Sequence, residues 1–266
     1  MGVIKLIVFD LDNTTLDDNK NLDSNLKETL FKLKNEKGIE YTIASGRNEE
    51  VLEKYVSELN ITIPYITNNG GNIYQNHKCL FNNCFNQKYN NYILKLLYDN
   101  NFTFRAFCIE GIYGNKTSTF FESRTAVFEK QVIEYNPEKD YGNYHFYKIT
   151  LDANNNIELL DNVIKQIDKF KDIIMLKADR NIYCINNHTA NKGNAVKKVC
   201  ELLKINIDEV MTFGDDYNDL TMLLSARIGV VPNNASEEIK TKVKYICKND
   251  NNHNAVSNFL KEYFKL

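Results

Sequence analysis

Short apolar strands alternate with amphipathic helices in two stretches of this chain, residues 1–81 and 186–266, and that rhythm constrains the fold more than any other feature. Ile4 to Phe9 reads as a buried strand, and Leu26, Leu30 and Leu33 mark a helix closed by Gly38. Ile39 to Ala44 is the next strand. Val51, Leu52, Tyr55, Val56 and Leu59 then recur at helical spacing, and Pro64, Tyr65 and Ile66 begin a third strand before the turn-rich Asn68-Asn69-Gly70-Gly71. A βαβαβ succession of this kind starts a parallel sheet with right-handed crossovers. From Asn191 the rhythm returns, with a helix through Val196, Val199, Cys200 and Leu203 and strands at Val210 to Phe213 and Ile228 to Val231. A closing helix carries Val256, Phe259, Leu260 and Tyr263.

Residues 82–185 break the pattern. A helix through Tyr89, Tyr92, Ile93, Leu96 and Leu97 is followed by strand-like runs at Thr103 to Ile109 and His145 to Leu151. A second helix (Ile157, Leu160, Ile164, Ile167) leads to strands at Ile173 to Leu176 and Ile182 to Ile185. The segment Glu122 to Asn143 receives no assignment. The expected class is therefore α/β: a Rossmann-like three-layer core with a parallel sheet, built from residues 1–81 and 186–266, plus an inserted α+β domain at 82–185. At 266 residues the chain suits two domains. The Asn-rich pieces Asn154 to Asn156 and Asn249 to Asn254 suit turns or helix caps, and no function is read into them.

Hydrophobic residues at 43% and aromatics at 12% supply enough apolar surface for real cores, which excludes a disordered chain. With 33 basic and 35 acidic side chains the net charge is -2, so neither nucleic acid nor an anionic membrane is an expected partner. An anionic ligand must be met by a local cluster. The run Val3 to Phe9 is interrupted by Lys5 and stops at Asp10, too short for a signal or membrane segment, and a cytoplasmic location is expected. Cys79, Cys84, Cys108, Cys184, Cys200 and Cys247 form no CxxC pair and the four histidines lack ligand-like spacing, so reduced thiols are expected.

Asp10-Leu11-Asp12-Asn13-Thr14 follows the first strand directly, so two carboxylates arrive at the C-terminal edge of the sheet, the usual ligand side. Such a pair suits phosphoryl transfer, one carboxylate attacking phosphorus while the other protonates the departing oxygen and then deprotonates water. A capped turn with solvated acids is the plainer alternative. Gly214-Asp215-Asp216-Tyr217-Asn218-Asp219 is a second acidic cluster at a strand end. Five carboxylates converging on one edge repel one another without a cation, and oxygen ligands beside a phosphate point to magnesium. Ser45 ends the second strand and Lys192 begins a helix, two candidate donors for phosphoryl oxygens, although a turn serine and a surface lysine are common.

Taken in order, Asp10-x-Asp12-x-Thr14, Ser45, Lys192 and Gly214-Asp215-x-x-Asn218-Asp219 resemble the four motifs of the haloacid dehalogenase superfamily. Ala44-Ser45-Gly46-Arg47, Thr67-Asn68-Asn69-Gly70-Gly71 and Asn191-Lys192-Gly193 are similar to signatures of its Cof-type branch, in which a large α/β cap is inserted between the second and third motifs. The resemblance implies Asp10 as nucleophile and Asp12 as general acid and base, with Ser45, Gly46, Lys192 and Asn218 binding phosphate. It implies magnesium on the Asp10 carboxylate, the Asp12 carbonyl and Asp215. Arg47, Asn69 and Gly70 are then expected near the substrate, with Thr14, Asp216 and Asp219 in supporting positions. Asn13 departs from the family's usual Gly and is tolerated because Asn accepts unusual backbone angles. His188-Thr189-Ala190 is an unusual lead into the third motif, and a loop histidine without a catalytic part is its plain reading.

The activity so implied is hydrolysis of a small phosphate ester by a monomer or weak homo-oligomer. Asp12 argues against halide hydrolysis, which needs no proton donor for its leaving group. A phospho-aspartate receiver places its aspartate on the third strand of a single small domain, whereas Asp10 follows the first. A phosphotransferase or mutase, and an idle phosphate-ligand sensor on the same fold, remain the alternatives. The substrate is not legible; Arg105, Arg124 and Arg180 are candidates for anionic groups, and surface solvation explains each equally well.

Overall fold

A computed structural model describes residues 3–115, 132–153, 157–179 and 181–266. The chain divides into two units, Met1–Phe81 with Asn191–Leu266, and Asn82–Ala190.

In the first unit, strand Leu6–Phe9 is apolar throughout and lies inside a five-stranded parallel sheet, between Val210–Phe213 and Glu40–Ile43. Ile228–Val231 and Tyr245–Ile246 extend the sheet beyond Val210–Phe213. Side chains alternate across a strand, so Ile7 and Phe9 enter one core cluster and Leu6 and Val8 another. The first cluster takes in the apolar stripes of helices Leu26–Lys37, Glu49–Glu58 and Ala255–Phe264, and the second that of Lys192–Leu203. These are the three layers expected. Gly38 ends the first helix in the left-handed region (φ 66), where its N–H reaches the carbonyls of Leu33 and Lys34.

The third expected strand belongs elsewhere. Tyr65–Thr67 pairs antiparallel with Asn72–Gln75 in a small sheet completed by Lys78–Asn82, and one parallel bridge, Ala44 to Ile66, ties it to the parallel sheet. The reason lies in the turn between them. Asn68 (φ 50), Asn69 (φ 55) and Gly70 (φ 93) are all left-handed, which reverses the chain at once and returns it beside the strand just completed.

The second unit carries a six-stranded sheet in the order Ile173–Asp179, Ile182–Asn187, Phe146–Asp152, Thr103–Cys108, Gly111–Gly114, Ile133–Glu134, antiparallel except for the last pair. Helices Asn90–Asp99 and Ile157–Ile167 supply Ile93, Leu94, Leu97, Leu160, Val163 and Ile167 to its core. The expected return to the first unit at residue 186 lies instead at Asn191, because strand Ile182–Asn187 runs its full length in this sheet. Of the unassigned segment, Ile133–Glu134 is a strand and Tyr135 and Tyr141 are core residues; 122–131, like Asn154 to Asn156, lie outside the described residues. Among the described residues, no helix is long and apolar enough to cross a membrane.

Candidate active site

Strand Leu6–Phe9 delivers Asp10 to the sheet edge, and the N–H of Asp10 still donates to Phe213 O at 2.9 Å, so the ladder fixes where the carboxylate begins. The chain then folds tightly on itself. Thr14, Thr15 and Leu16 all donate backbone N–H groups to the Leu11 carbonyl, at 3.2, 3.0 and 2.8 Å. Asn13 sits in the left-handed region at φ 57, the conformation that glycine adopts freely and asparagine tolerates. Thr14 Oγ1 leaves this turn toward Asp215 Oδ1 at 2.8 Å and links the two acidic motifs.

The buried centre is Lys192, with no exposed side-chain surface. Its ammonium donates to Asp10 Oδ1 at 2.7 Å and to Asp219 Oδ1 at 2.5 Å. Asp219 is equally buried, and its second oxygen accepts the N–H groups of Asp215 (2.9 Å) and Asp216 (3.1 Å). Gly214 permits this packing, since a Cβ there would lie 2.4 Å from Asp219 Cβ. Asp219 therefore holds both the lysine and the backbone of the loop that presents Asp215.

Ligand oxygens of Asp10, Asp215 and Asp219 lie within 4.8 Å of one another, the one such group of three among the described residues. Burial pushes the Asp10 carboxyl up to about 8, against the pull of Lys192, and pushes Asp215 up to about 7 with help from Asp219. Burial works against charge on Lys192, yet Asp10 and Asp219 outweigh it and hold the ammonium above its usual range. Charging Asp10 and Asp215 together thus requires more positive charge than Lys192 supplies. The donors are all carboxylate oxygens, which fits a hard divalent cation. Asp219 is already engaged by three donors, so Asp10 and Asp215 are the carboxylates left for it.

Asp12 points its carboxylate elsewhere. Arg47 grips it with Nε to Oδ2 at 2.8 Å and Nη2 to Oδ1 at 2.7 Å, and Lys20 Nζ adds a contact to Oδ1 at 2.9 Å. Burial opposes the charge here, but these two cations hold the carboxyl down at about 2. Tyr55 completes the arrangement: Arg47 Nη1 donates to its hydroxyl at 3.3 Å, which donates in turn to the Lys20 carbonyl at 3.2 Å. Lys20 and Tyr55 were invisible as site residues in the sequence. Tyr55 was read only as one position of a helical stripe and Lys20 carried no signal at all, and only the fold sets them beside Asp12.

Ser45 is buried. Its hydroxyl oxygen accepts the N–H of Arg47 at 3.2 Å and its carbonyl accepts that of Asn69 at 2.9 Å, which leaves the hydroxyl hydrogen to give. A Cβ on Gly46 would lie 3.0 Å from Asn69 Oδ1, and that same oxygen accepts Asn218 Nδ2 at 3.0 Å. Ser45, Gly46, Arg47, Asn69 and Asn218 therefore form one connected patch. Gly70 has a packing reason: at φ 93, a Cβ would lie 2.3 Å from Asn191 O, immediately before Lys192. Asp216 is exposed and accepts the N–H of Tyr217.

His188 is an exposed turn residue of the second unit, its N–H on Asp172 O at 3.0 Å. Arg105 is buried in that unit's sheet and donates to Phe104 O. Arg124 and Arg180 lie outside the described residues.

Residues 7–260 match the family model described as haloacid dehalogenase-like hydrolase. The Mycoplasma genitalium protein MG265 is 26% identical, with 98% of each chain covered. The Bacillus subtilis protein YcsE, named as a 5-amino-6-(5-phospho-D-ribitylamino)uracil phosphatase, is 24% identical over 91% of this chain and 89% of its own. A crystal structure of a haloacid dehalogenase-like hydrolase from Bacteroides thetaiotaomicron superposes with a TM-score of 0.82 at 22% identity, covering 98% of this chain and 100% of that one.

Proposed function

The chain belongs to the haloacid dehalogenase-like hydrolase family, and on that premise we propose that it is a magnesium-dependent phosphatase acting on a small phosphate monoester, a sugar phosphate or similar metabolite, through an aspartyl-phosphate on Asp10. The observation that carries this reading is the buried Asp10–Lys192–Asp219 arrangement joined through Thr14 to Asp215. The relative named for a phosphorylated ribityl compound supports the substrate class.

Asp10 attacks phosphorus as the ester P–O bond breaks, and the leaving oxygen takes a proton from Asp12. Water then attacks the phosphoryl group, giving its proton to Asp12, and Asp10 is released with inorganic phosphate. Lys192 fixes one Asp10 oxygen and balances charge in the buried centre. Ser45 supplies a hydroxyl hydrogen to a phosphoryl oxygen. Held by Arg47 and Lys20 at about 2, Asp12 is a poor acid, so an anionic ester that competes for these two cations frees it to carry the proton. Magnesium, held by Asp10 and Asp215 and by the Asp12 carbonyl, would neutralise charge on the phosphoryl group.

A panel of phosphate esters assayed for phosphate release tests the reading. The expected result is turnover that stops with excess chelator and with Asp10→Asn, which keeps the side-chain volume but loses the nucleophile. Undiminished turnover in either condition would refute it.

A further inference from the structure

We infer that Asn234 is a positioning residue for the catalytic loop, acting through the peptide between Asn13 and Thr14. Asn234 lies just beyond strand Ile228–Val231, 221 residues from Asn13 in sequence, and its Nδ2 donates to the Asn13 carbonyl at 2.8 Å. Its Oδ1 accepts the N–H of Asn251 at 3.0 Å. Asn251 is itself buried, and its Nδ2 donates to Leu16 O at 3.0 Å and to Asp18 Oδ1 at 3.3 Å. Two asparagines thus hold the catalytic turn at both ends, Asn13 and Leu16.

The consequence follows from what else that peptide carries. Asn13 is left-handed, a conformation strained for a residue with a Cβ. The peptide plane that presents its carbonyl to Asn234 presents the Thr14 N–H to Leu11 O, and the Thr14 hydroxyl holds Asp215. A rotation that takes Asn13 out of the left-handed region breaks the Thr14 N–H bond to Leu11 O and loosens the hold that keeps the Thr14 hydroxyl against the carboxylate proposed to bind the cation. Losing the Asn234 amide permits that rotation without touching any group that meets the substrate.

The kinetic arm of the test rests on the phosphatase reading; the binding arm does not. Purified full-length Asn234→Ala and Asn234→Leu are compared with Asn252→Ala. Asn252 Oδ1 accepts the Asp18 N–H at 3.0 Å, so it joins the same two loops without reaching the Asn13 peptide. The probes are p-nitrophenyl phosphate turnover and calorimetric titration with magnesium chloride alone. For one exposed hydrogen bond, at the lower end of what such a bond contributes, kcat and magnesium affinity should each fall about 2- to 5-fold in the Asn234 variants. KM should stay within about twofold, and Asn252→Ala should match the parent in both measurements. Unchanged kcat and magnesium affinity in the Asn234 variants would overturn the inference, as would an equal loss in Asn252→Ala, which would show loop stability alone to be at issue. If the parent turned over no phosphate ester while the Asn234 variants alone lost magnesium affinity, the positioning role would stand and the phosphatase reading would fall.

Discussion

Asp219→Asn isolates the residue on which the buried site is built. The carboxylate has no exposed surface and satisfies three donors: the Lys192 ammonium through Oδ1, and the Asp215 and Asp216 N–H groups through Oδ2. Asparagine has the same shape but one acceptor oxygen. Either that oxygen faces Lys192 and its NH2 group opposes two backbone donors, or the reverse holds and the ammonium meets an NH2 group. Two part-buried amides left unsatisfied cost about 1–3 kcal/mol each, and a buried ammonium that loses one of its two carboxylates costs about 3–5 kcal/mol. The two routes bracket a similar loss, roughly 3–5 kcal/mol, which lowers the melting temperature of a chain this size by about 6–20 °C. Activity should fall further than stability, because the disturbed loop carries Asp215, and misplacement by about 1 Å can cost about 100-fold. The assay is thermal unfolding beside phosphate-ester turnover, measured well below the variant's transition. A melting temperature within about 2 °C of the parent would show that Asp219 does not organise this centre.

Asp12→Asn should give a burst with an aryl phosphate, whose leaving group scarcely needs a proton, followed by turnover slowed about 10²- to 10⁴-fold as phosphorylated Asp10 accumulates. Rapid-quench kinetics reads this, and equal slowing of the first step for alkyl and aryl esters without trapped phosphoenzyme would remove Asp12 from proton transfer. Gly70→Ala would force a Cβ to 2.3 Å from Asn191 O at a φ of 93, so a loss of about 3 kcal/mol or more is expected in denaturant unfolding; an unaltered midpoint would contradict the close packing. Burial pushes the thiols of Cys108, Cys200 and Cys247 up to about 12, 11 and 12. At pH 8 little thiolate is present, so all three should resist alkylation in the folded protein, and each pH unit should raise their rates about tenfold below those values; rapid labelling by mass spectrometry at pH 8 would count against these environments.

The sequence by itself determined the parallel core, the insertion and the placement of acidic residues at the strand ends. Those depend on local signals: an apolar run such as Ile4 to Phe9 that stops at Asp10, helical spacing through Val196 and Val199, and acidic residues just past a strand. Residue period and punctuation are properties of neighbours, so they survive without the fold. The strand at Tyr65–Thr67 was legible as a strand but not by its partner, because three left-handed residues in the turn Asn68–Gly70 choose antiparallel pairing over the parallel sheet. The insertion's exit was read at 186 rather than Asn191 because no break in composition marks the end of strand Ile182–Asn187. Contacts made across the sheet order were out of reach altogether. Lys192 and Asp10 are 182 residues apart, and Asn251 and Leu16 are 235 apart. Only a sheet that sets Leu6–Phe9 between Val210–Phe213 and Glu40–Ile43 brings such groups together. Tertiary structure alone decided that Asp219 anchors Lys192, that Lys20 and Arg47 hold Asp12 ionised, and that Asn251, in an Asn-rich loop, donates to the Leu16 carbonyl. A side chain's partner across the fold depends on where two distant backbones meet, and local sequence pattern carries no record of that distance.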